Sequence, residues 1–318
     1  MRILEDFPLS DIVYYRIGGK AKKVFEVSSV DEVRDALKIC HKEHITDLLV
    51  IGIGSNIVIP DEGFCGAVIK MIGAGESFEI SGKKIKAFAG ETLDSLIKES
   101  LSSSLIGLEW AGGLPSSLGG AVRGNAGAFG HEAKDTFFEL EAIDSTDPNL
   151  TVKVYSKPES NFSYRDSFFK NHPNLLIVSV TFELKEGSIE EVSKAEEVYK
   201  ENIEYRDKHH PMEYPSCGSV FKNITEKEKV DKILAIWPDV QEISESKWHH
   251  KISMGYVINR LGFSGKKIGG AMVSHKHTNY IVNFDQAKAT DVKGLITEIQ
   301  NEFANTFGFV PEPEVILL

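Results

Sequence analysis

The stretch from Gly107 to Gly130 limits what the chain around it can become. Eight of its 24 residues are glycine, yet it keeps Trp110, Leu114, Leu118, Val122 and Phe129. A flexible linker would lack such apolar anchors. Backbone this bare, held by side chains this large, is suited to close packing. Two partners satisfy it: a second element crossing the first, or a large flat ligand whose phosphates meet free amides.

A smaller glycine turn, Gly52-Ile53-Gly54-Ser55-Asn56, follows the apolar run Asp47–Ile51. It is not a Gly-x-Gly-x-x-Gly fingerprint, because Ile57 stands at the third glycine position. Ile57-Val58-Ile59-Pro60 then reads as another strand rather than a helix, which disfavours a dinucleotide-binding Rossmann unit. On its own such a turn is ordinary strand punctuation.

The elements around these two loops alternate in kind. Residues 11–28 read as two short strands around Arg16-Ile17-Gly18-Gly19-Lys20. Ser29 caps a helix that sets Val33, Ala36, Leu37 and Cys40 on one face. Strands follow at 67–71, 78–80 and 84–89, with a hairpin at Ser81-Gly82-Lys83. A helix from Glu91-Thr92 carries Leu93, Leu96, Ile97 and Leu101. Strands return at 137–143, 151–155 and 175–184, before a polar helix over 188–208. Residues 225–251 show no clear periodicity. A helix over 254–262 closes on glycine, strands read at 267–273 and 280–283, and Thr290-Asp291 caps a last amphipathic helix. The tail 308–318 reads as a strand with acids at its entrance. No internal repeat or low-complexity segment occurs.

Two short segments carry reactive groups. Pro215–Asn223 holds a hydroxyl, a thiol, a glycine, a cation and an amide within nine residues. Gly218 would present Ser219 on a turn, which is also ordinary turn chemistry. In Phe162–Lys170, Arg165 stands among aromatics, either as a surface guanidinium stacked on a ring or as one held rigid to grip a carboxylate.

Composition excludes several classes. With 36 basic against 47 acidic residues and a formal charge of −11, the chain offers no basic face to nucleic acid. The N-terminus has no signal-peptide core, and no run of about 18 apolar residues occurs to span a membrane. Cys40, Cys65 and Cys217 are odd in number and share no ligand spacing, which suits a reducing compartment and no metal. The pairs His209-His210 and His249-His250 lack zinc-site spacing.

Taken in register, these segments resemble the UDP-N-acetylenolpyruvoylglucosamine reductase family. The resemblance runs from about Arg16 to Glu314. It rests on Arg-Ile-Gly-Gly at 16–19, Gly-x-Gly-Ser-Asn at 52–56, the glycine stretch and Ser-Tyr-Arg-Asp-Ser at 163–167. It continues through Gly-Ser-Val-Phe-Lys-Asn at 218–223, Lys-Ile-Gly-Gly-Ala at 267–271 and Glu-Pro-Glu-Val at 312–315. It implies an α+β protein. A two-lobed FAD-binding domain of the vanillyl-alcohol-oxidase (PCMH) type would span 1–205, with lobes about 1–75 and 76–205. An α+β substrate-binding domain would span 206–318.

The resemblance implies non-covalent FAD held by Gly52, Gly54, Ser55, Asn56, Gly119, Gly120, Asn125, Ala126 and Gly127. It implies NADPH as reductant and UDP-N-acetylglucosamine enolpyruvate as substrate, reduced to UDP-N-acetylmuramate for peptidoglycan. Ser219 would protonate C2, Arg165 would steady the developing enolate and Glu314 would be its acidic partner; Lys222, Asn223 and Tyr164 would contact substrate. A cytoplasmic monomer, at most weakly self-associating, is expected.

Departures touch the pocket rim. Cys217 stands where the family commonly has alanine, as a passive small residue or an oxidisable thiol. Ile224 replaces the usual proline, Pro115–Leu118 varies its loop and residues 225–251 run long. No tyrosine-bearing loop occurs in 166–210, which matches the family's shorter subtype. Two other readings stand beside this one. One is a flavin oxidase of an alcohol or hydroxy acid on the same scaffold, for which only His131 offers an attachment point near the glycine stretch. The other is a non-catalytic nucleotide-sugar or flavin binder, which would be expected to have lost one of Ser219, Arg165 and Glu314.

Overall fold

The computed structural model describes residues 1–75, 78–248 and 250–318, so His249 of the pair named above lies outside the described residues. The chain divides into two compact units. The first comprises 1–7, 21–53 and 64–208, and the second 8–20, 54–63 and 209–318. Where the sequence suggested one continuous domain over 1–205, segments 8–20 and 54–63 group instead with the C-terminal residues. The physical reason is burial: Tyr15, Ile17 and Val58 belong to the core of the second unit.

Among the described residues, the first unit has a four-stranded sheet in the order Arg2–Pro8, Lys20–Val27, Phe64–Met71, Leu48–Ile51. Lys20–Val27 and Leu48–Ile51 both run parallel to Phe64–Met71. The helix Val30–Lys42 joins Lys20–Val27 to Leu48–Ile51, the two strands that flank Phe64–Met71. Ser29 Oγ accepts from the Glu32 amide at 3.2 Å, and Val33, Ala36, Leu37 and Cys40 are buried, as the sequence period predicts. Each large apolar side chain so buried contributes about 1.5–3 kcal/mol.

A five-stranded antiparallel sheet follows in the order Val152–Ser156, Phe137–Asp144, Leu175–Glu183, Lys84–Phe88, Phe78–Ser81. Leu175–Glu183 is central and covered on both faces, hence its unbroken run Leu-Leu-Ile-Val-Ser-Val-Thr-Phe. Thr92 caps the helix Leu93–Ser102, and the helix Ile189–His209 ends the unit.

The second unit holds an antiparallel sheet in the order Ser216–Ser219, Tyr280–Asn283, Ala271–Val273, Lys267–Ile268. The expected single strand over 267–273 is two strands turning at Gly269, whose φ is +50°. The helix Ala289–Phe307 lays Val292, Leu295, Ile296, Ile299 and Phe303 into the core. Its cap is two residues earlier than predicted: Asp291 Oδ2 accepts from the amides of Lys288 and Gly270 at 2.9 and 3.1 Å. Of the tail, Ile316–Leu317 alone is strand, parallel to Ile57–Val58.

Two segments depart from their sequence reading for opposite reasons, one showing a period without the element and the other an element without the period. The strand expected near 11–15 is a 3-10 turn, Leu9–Asp11, followed by irregular backbone in which Val13, Tyr15 and Ile17 are buried. Alternate burial imitated a strand. Residues 225–251 instead contain the helices Lys227–Ile236 and Gln241–Lys247, with Val230, Ile233 and Ser244 as their buried residues. So few inward positions never repeat often enough to declare a period.

Candidate functional site

In the first unit the chemistry gathers on the turn 163–167. Ser163 and Asp166 exchange backbone hydrogen bonds at 3.1 and 3.3 Å, and Arg165 between them is left-handed at φ +56°. Such a backbone costs a non-glycine residue about 1–3 kcal/mol unless its surroundings impose it. The fully buried Asn125 imposes it: its Nδ2 donates to the Ser163 carbonyl at 2.7 Å, while its Oδ1 accepts from the Lys134 amide at 3.1 Å. From the other side Ser167 Oγ donates to the Arg123 carbonyl at 2.7 Å.

The Arg165 guanidinium, half-buried, donates through Nη2 to the Gly127 carbonyl at 2.6 Å and lies 5.1 Å from the Tyr164 ring. A Cβ at Gly127 would come within 2.5 Å of the His131 carbonyl and 3.0 Å of Arg165 Nη1, so no side chain fits there. Arg165, Tyr164, Asn125, Ala126 and Gly127 therefore form one constellation. The guanidinium is held by a backbone carbonyl and also lies over the ring that the stacked reading expects.

Gly52 ends the strand Leu48–Ile51 against Ser117, where a Cβ would lie 1.9 Å from Ser117 Oγ. Ser117 caps the six-residue helix Leu118–Arg123, its Oγ accepting from the Gly120 amide at 3.4 Å. Lys70 Nζ donates to the Gly52 carbonyl. Gly119 differs from what the glycine stretch suggested, since its amide already donates to the Ala89 carbonyl at 2.9 Å. Gly119 and Asn125 thus shape backbone rather than offer donors.

The second unit brings Ser219, Glu314 and Asn56 together through backbone. Glu314 N–H donates to the Val220 carbonyl at 2.7 Å, one residue past Ser219. Asn56 Nδ2 donates to the Glu314 carbonyl at 3.4 Å, and its own carbonyl accepts from the Ile316 amide at 3.1 Å. Gly54, left-handed at φ +70°, begins this turn, with Ser55 between it and Asn56. Gly218, at φ +77° with open space where a Cβ would sit, turns the strand so that Ser219 is half-exposed.

Lys222 and Asn223 have structural partners here. Lys222 Nζ pairs with Glu312 at 2.5 Å, and Asn223 Oδ1 accepts from the Met254 amide at 3.0 Å. Cys217 is buried, and burial pushes its thiol up to about 12, which favours the passive reading.

One organising residue escaped the sequence. Asn279, fully buried, accepts from the Phe221 amide at 3.0 Å and donates to the Phe221 carbonyl at 2.9 Å, clamping the segment beyond Ser219. Its partner lies 58 positions away, so no local pattern marks it. Among the described residues no group of three or more His, Cys, Asp or Glu could hold a metal ion, and no helix is long and apolar enough to cross a membrane.

Comparison with known proteins places these features in a family. A family model described as the C-terminal domain of UDP-N-acetylenolpyruvoylglucosamine reductase matches residues 210–318, and one described as an FAD binding domain matches 21–150. The chain is 33% identical over 315 residues to the UDP-N-acetylenolpyruvoylglucosamine reductase of Caldicellulosiruptor bescii, covering 99% of this chain and 90% of that one. It is 32% identical to the protein of that name from Enterococcus faecalis, covering 99% and 94%. A crystal structure of the enzyme from Thermus caldophilus superimposes with a TM-score of 0.74 at 27% identity, covering 99% of this chain and 98% of that one.

Proposed function

This chain belongs to the UDP-N-acetylenolpyruvoylglucosamine reductase family, and we propose that its reaction runs through the residues described above. It is a flavin-dependent oxidoreductase of peptidoglycan precursor synthesis, with an FAD-binding domain and NADPH as reductant. Its substrate is UDP-N-acetylglucosamine enolpyruvate. The chemistry FAD supplies when bound is hydride transfer, from NADPH and then to C3 of the enolpyruvyl group.

The residues present fit that cofactor. Positions 52 and 127 admit no side chain, which keeps backbone bare where a pyrophosphate must come close. The exposed Gly120 amide is only loosely engaged at 3.4 Å. Gly52, Gly54, Ser55, Asn56, Gly120 and Gly127 would hold the cofactor, with Gly119, Asn125 and Ala126, whose amides are already bonded within the fold, supporting them from behind.

Hydride addition at C3 leaves negative charge on C2, delocalised into the carboxylate. Arg165, its guanidinium oriented before substrate arrives, stabilises that charge as it develops. Ser219 gives its hydroxyl proton to C2. A serine hydroxyl is a weak acid, so alignment and the neighbouring Glu314 carry much of the effect. Tyr164, Lys222 and Asn223 contact the substrate; the Lys222–Glu312 pair is surface-exposed on its acid side and weak enough to exchange. FAD binding belongs mainly to residues 21–53 and 64–205 together with the turn 54–56, and substrate binding to 206–318. The enzyme works as a cytoplasmic monomer, at most weakly self-associating.

The observation that carries this reading is the 2.7 Å bond from Glu314 N–H to the Val220 carbonyl, which sets the acidic tail beside the serine strand. The test is an anaerobic absorbance trace near 450 nm. Yellow protein should bleach with NADPH and regain colour on addition of UDP-N-acetylglucosamine enolpyruvate. Protein that takes up no FAD would overturn the reading, and bleaching without recovery would point to the alcohol-oxidase alternative.

A further inference from the structure

Lys70 is a half-buried cation that the reaction leaves unused. It sits in the strand Phe64–Met71, next to the glycine turn rather than among the residues of hydride or proton transfer. Its Nζ donates to the Gly52 carbonyl. Gly52 in turn packs on Ser117, and Ser117 Oγ receives the Gly120 amide. One local chain of contacts therefore joins the ammonium to both glycine segments that the proposed function gives to the cofactor.

We propose that Lys70 is a cofactor-positioning residue: it orients the Gly52 peptide and holds a positive charge behind the glycine turn, so that the affinity for a dianionic pyrophosphate depends on its protonation. The inference rests on the reading of 52–56 and 117–120 as the pyrophosphate segment. An ammonium bonded to a carbonyl fixes the peptide plane, and in a low-dielectric setting its charge acts over several ångströms.

The charge is poised to titrate. Burial brings the Lys70 ammonium down to about 8, with the Glu26 carboxylate opposing that fall. Glu26 faces it from the strand Lys20–Val27, where the two are paired in register, and Arg2 reaches Glu26 from Arg2–Pro8 at 3.4 Å. On the other side, Leu48–Ile51 pairs the uncharged Ile51 with it. The sign follows. An anion bound nearby favours the charged lysine, so binding takes up a proton at pH above about 8, and affinity weakens as pH rises.

The experiment titrates full-length protein, stripped of flavin, with FAD and follows quenching of flavin fluorescence from pH 7 to 9. Wild type should weaken about fivefold between these limits, as the charged fraction of lysine falls about tenfold and the neutral form binds about tenfold more weakly. Lys70→Met should bind about tenfold more weakly at pH 7 and lose the slope. Lys70→Arg, charged throughout, should flatten the profile while keeping the affinity, a rescue that a merely structural role would not give. Wild-type affinity that is flat over this range and unchanged in Lys70→Met overturns the inference alone. Protein that binds no FAD at any pH overturns the flavoenzyme reading on which it rests.

Discussion

Asn125 Nδ2 donates to the Ser163 carbonyl at 2.7 Å, so a fully buried amide in the glycine stretch sets the turn that carries Arg165. Asn125→Ala would take one donor from that carbonyl, leaving it the Asp166 amide, and would remove the acceptor of the Lys134 amide. The orphaned amide costs about 1–3 kcal/mol, and the left-handed turn loses what imposes it. The variant should unfold at lower urea than wild type. In what remains folded, flavin reoxidation by the enolpyruvyl substrate should slow more than reduction by NADPH. Equal slowing of both half-reactions would mean that Asn125 serves the cofactor alone.

Ser219 separates the two half-reactions more sharply. It is half-exposed, and the clamp around it is made by Val220, Phe221 and Asn279, none of which the substitution touches. Ser219→Ala should therefore fold normally and be bleached by NADPH at the wild-type rate. Recovery of colour should slow by about 10²–10⁴, the usual contribution of a positioned acid. Fast recovery would remove serine from the role of proton donor.

The backbone of Glu314 is held on both sides, its N–H on Val220 and its carbonyl receiving Asn56 Nδ2. Glu314→Gln keeps both contacts and removes the charge. Its unfolding midpoint should match wild type while substrate-driven reoxidation falls. A loss of stability with unchanged reoxidation would make the carboxylate structural.

The three cysteines differ in exposure, and that is checkable by chemistry. Cys65 is exposed, whereas Cys40 and Cys217 are buried, with burial pushing their thiols up to about 11 and about 12. A thiol of raised pKa stays protonated through neutral and mildly alkaline pH, and only the thiolate reacts quickly. Folded protein at pH 8 should lose one thiol to iodoacetamide, at Cys65, as read by mass of tryptic peptides. Prompt labelling of Cys217 would revive it as a redox group.

These outcomes divide along what a linear sequence can carry. Ser29 and Thr92 as caps, the apolar run Leu175–Phe182 and the hairpin at Gly82 are local, so composition and period announce them. Ser219 and Glu314 are 95 positions apart and Asn279 and Phe221 are 58 apart. Their partnership is decided by which strands pair, which no window of residues contains. The resemblance named the first pair because it carries pairing information from other chains; it said nothing of Asn279 or Lys70. The same limit hid the grouping of 8–20 and 54–63 with the C-terminal residues.

That grouping has a consequence at Tyr15. Its ring is fully buried and its hydroxyl donates to the Ile281 carbonyl at 2.7 Å, tying the segment 8–20 to the strand Tyr280–Asn283. Burial first, and the adjacent Cys217 second, hold the phenol protonated well above its usual range. Tyr15→Phe keeps the ring and leaves the Ile281 carbonyl without that donor, a cost of about 1–3 kcal/mol. Urea unfolding should show a lower midpoint at unchanged slope, the free energy of unfolding falling by that amount. Tyr15→Ala would add a large cavity and cost about 3–5 kcal/mol, by analogy with other buried aromatics. If instead Tyr15→Ala left the midpoint in place, the segment 8–20 would not be part of the second unit's core, and the domain would be continuous after all.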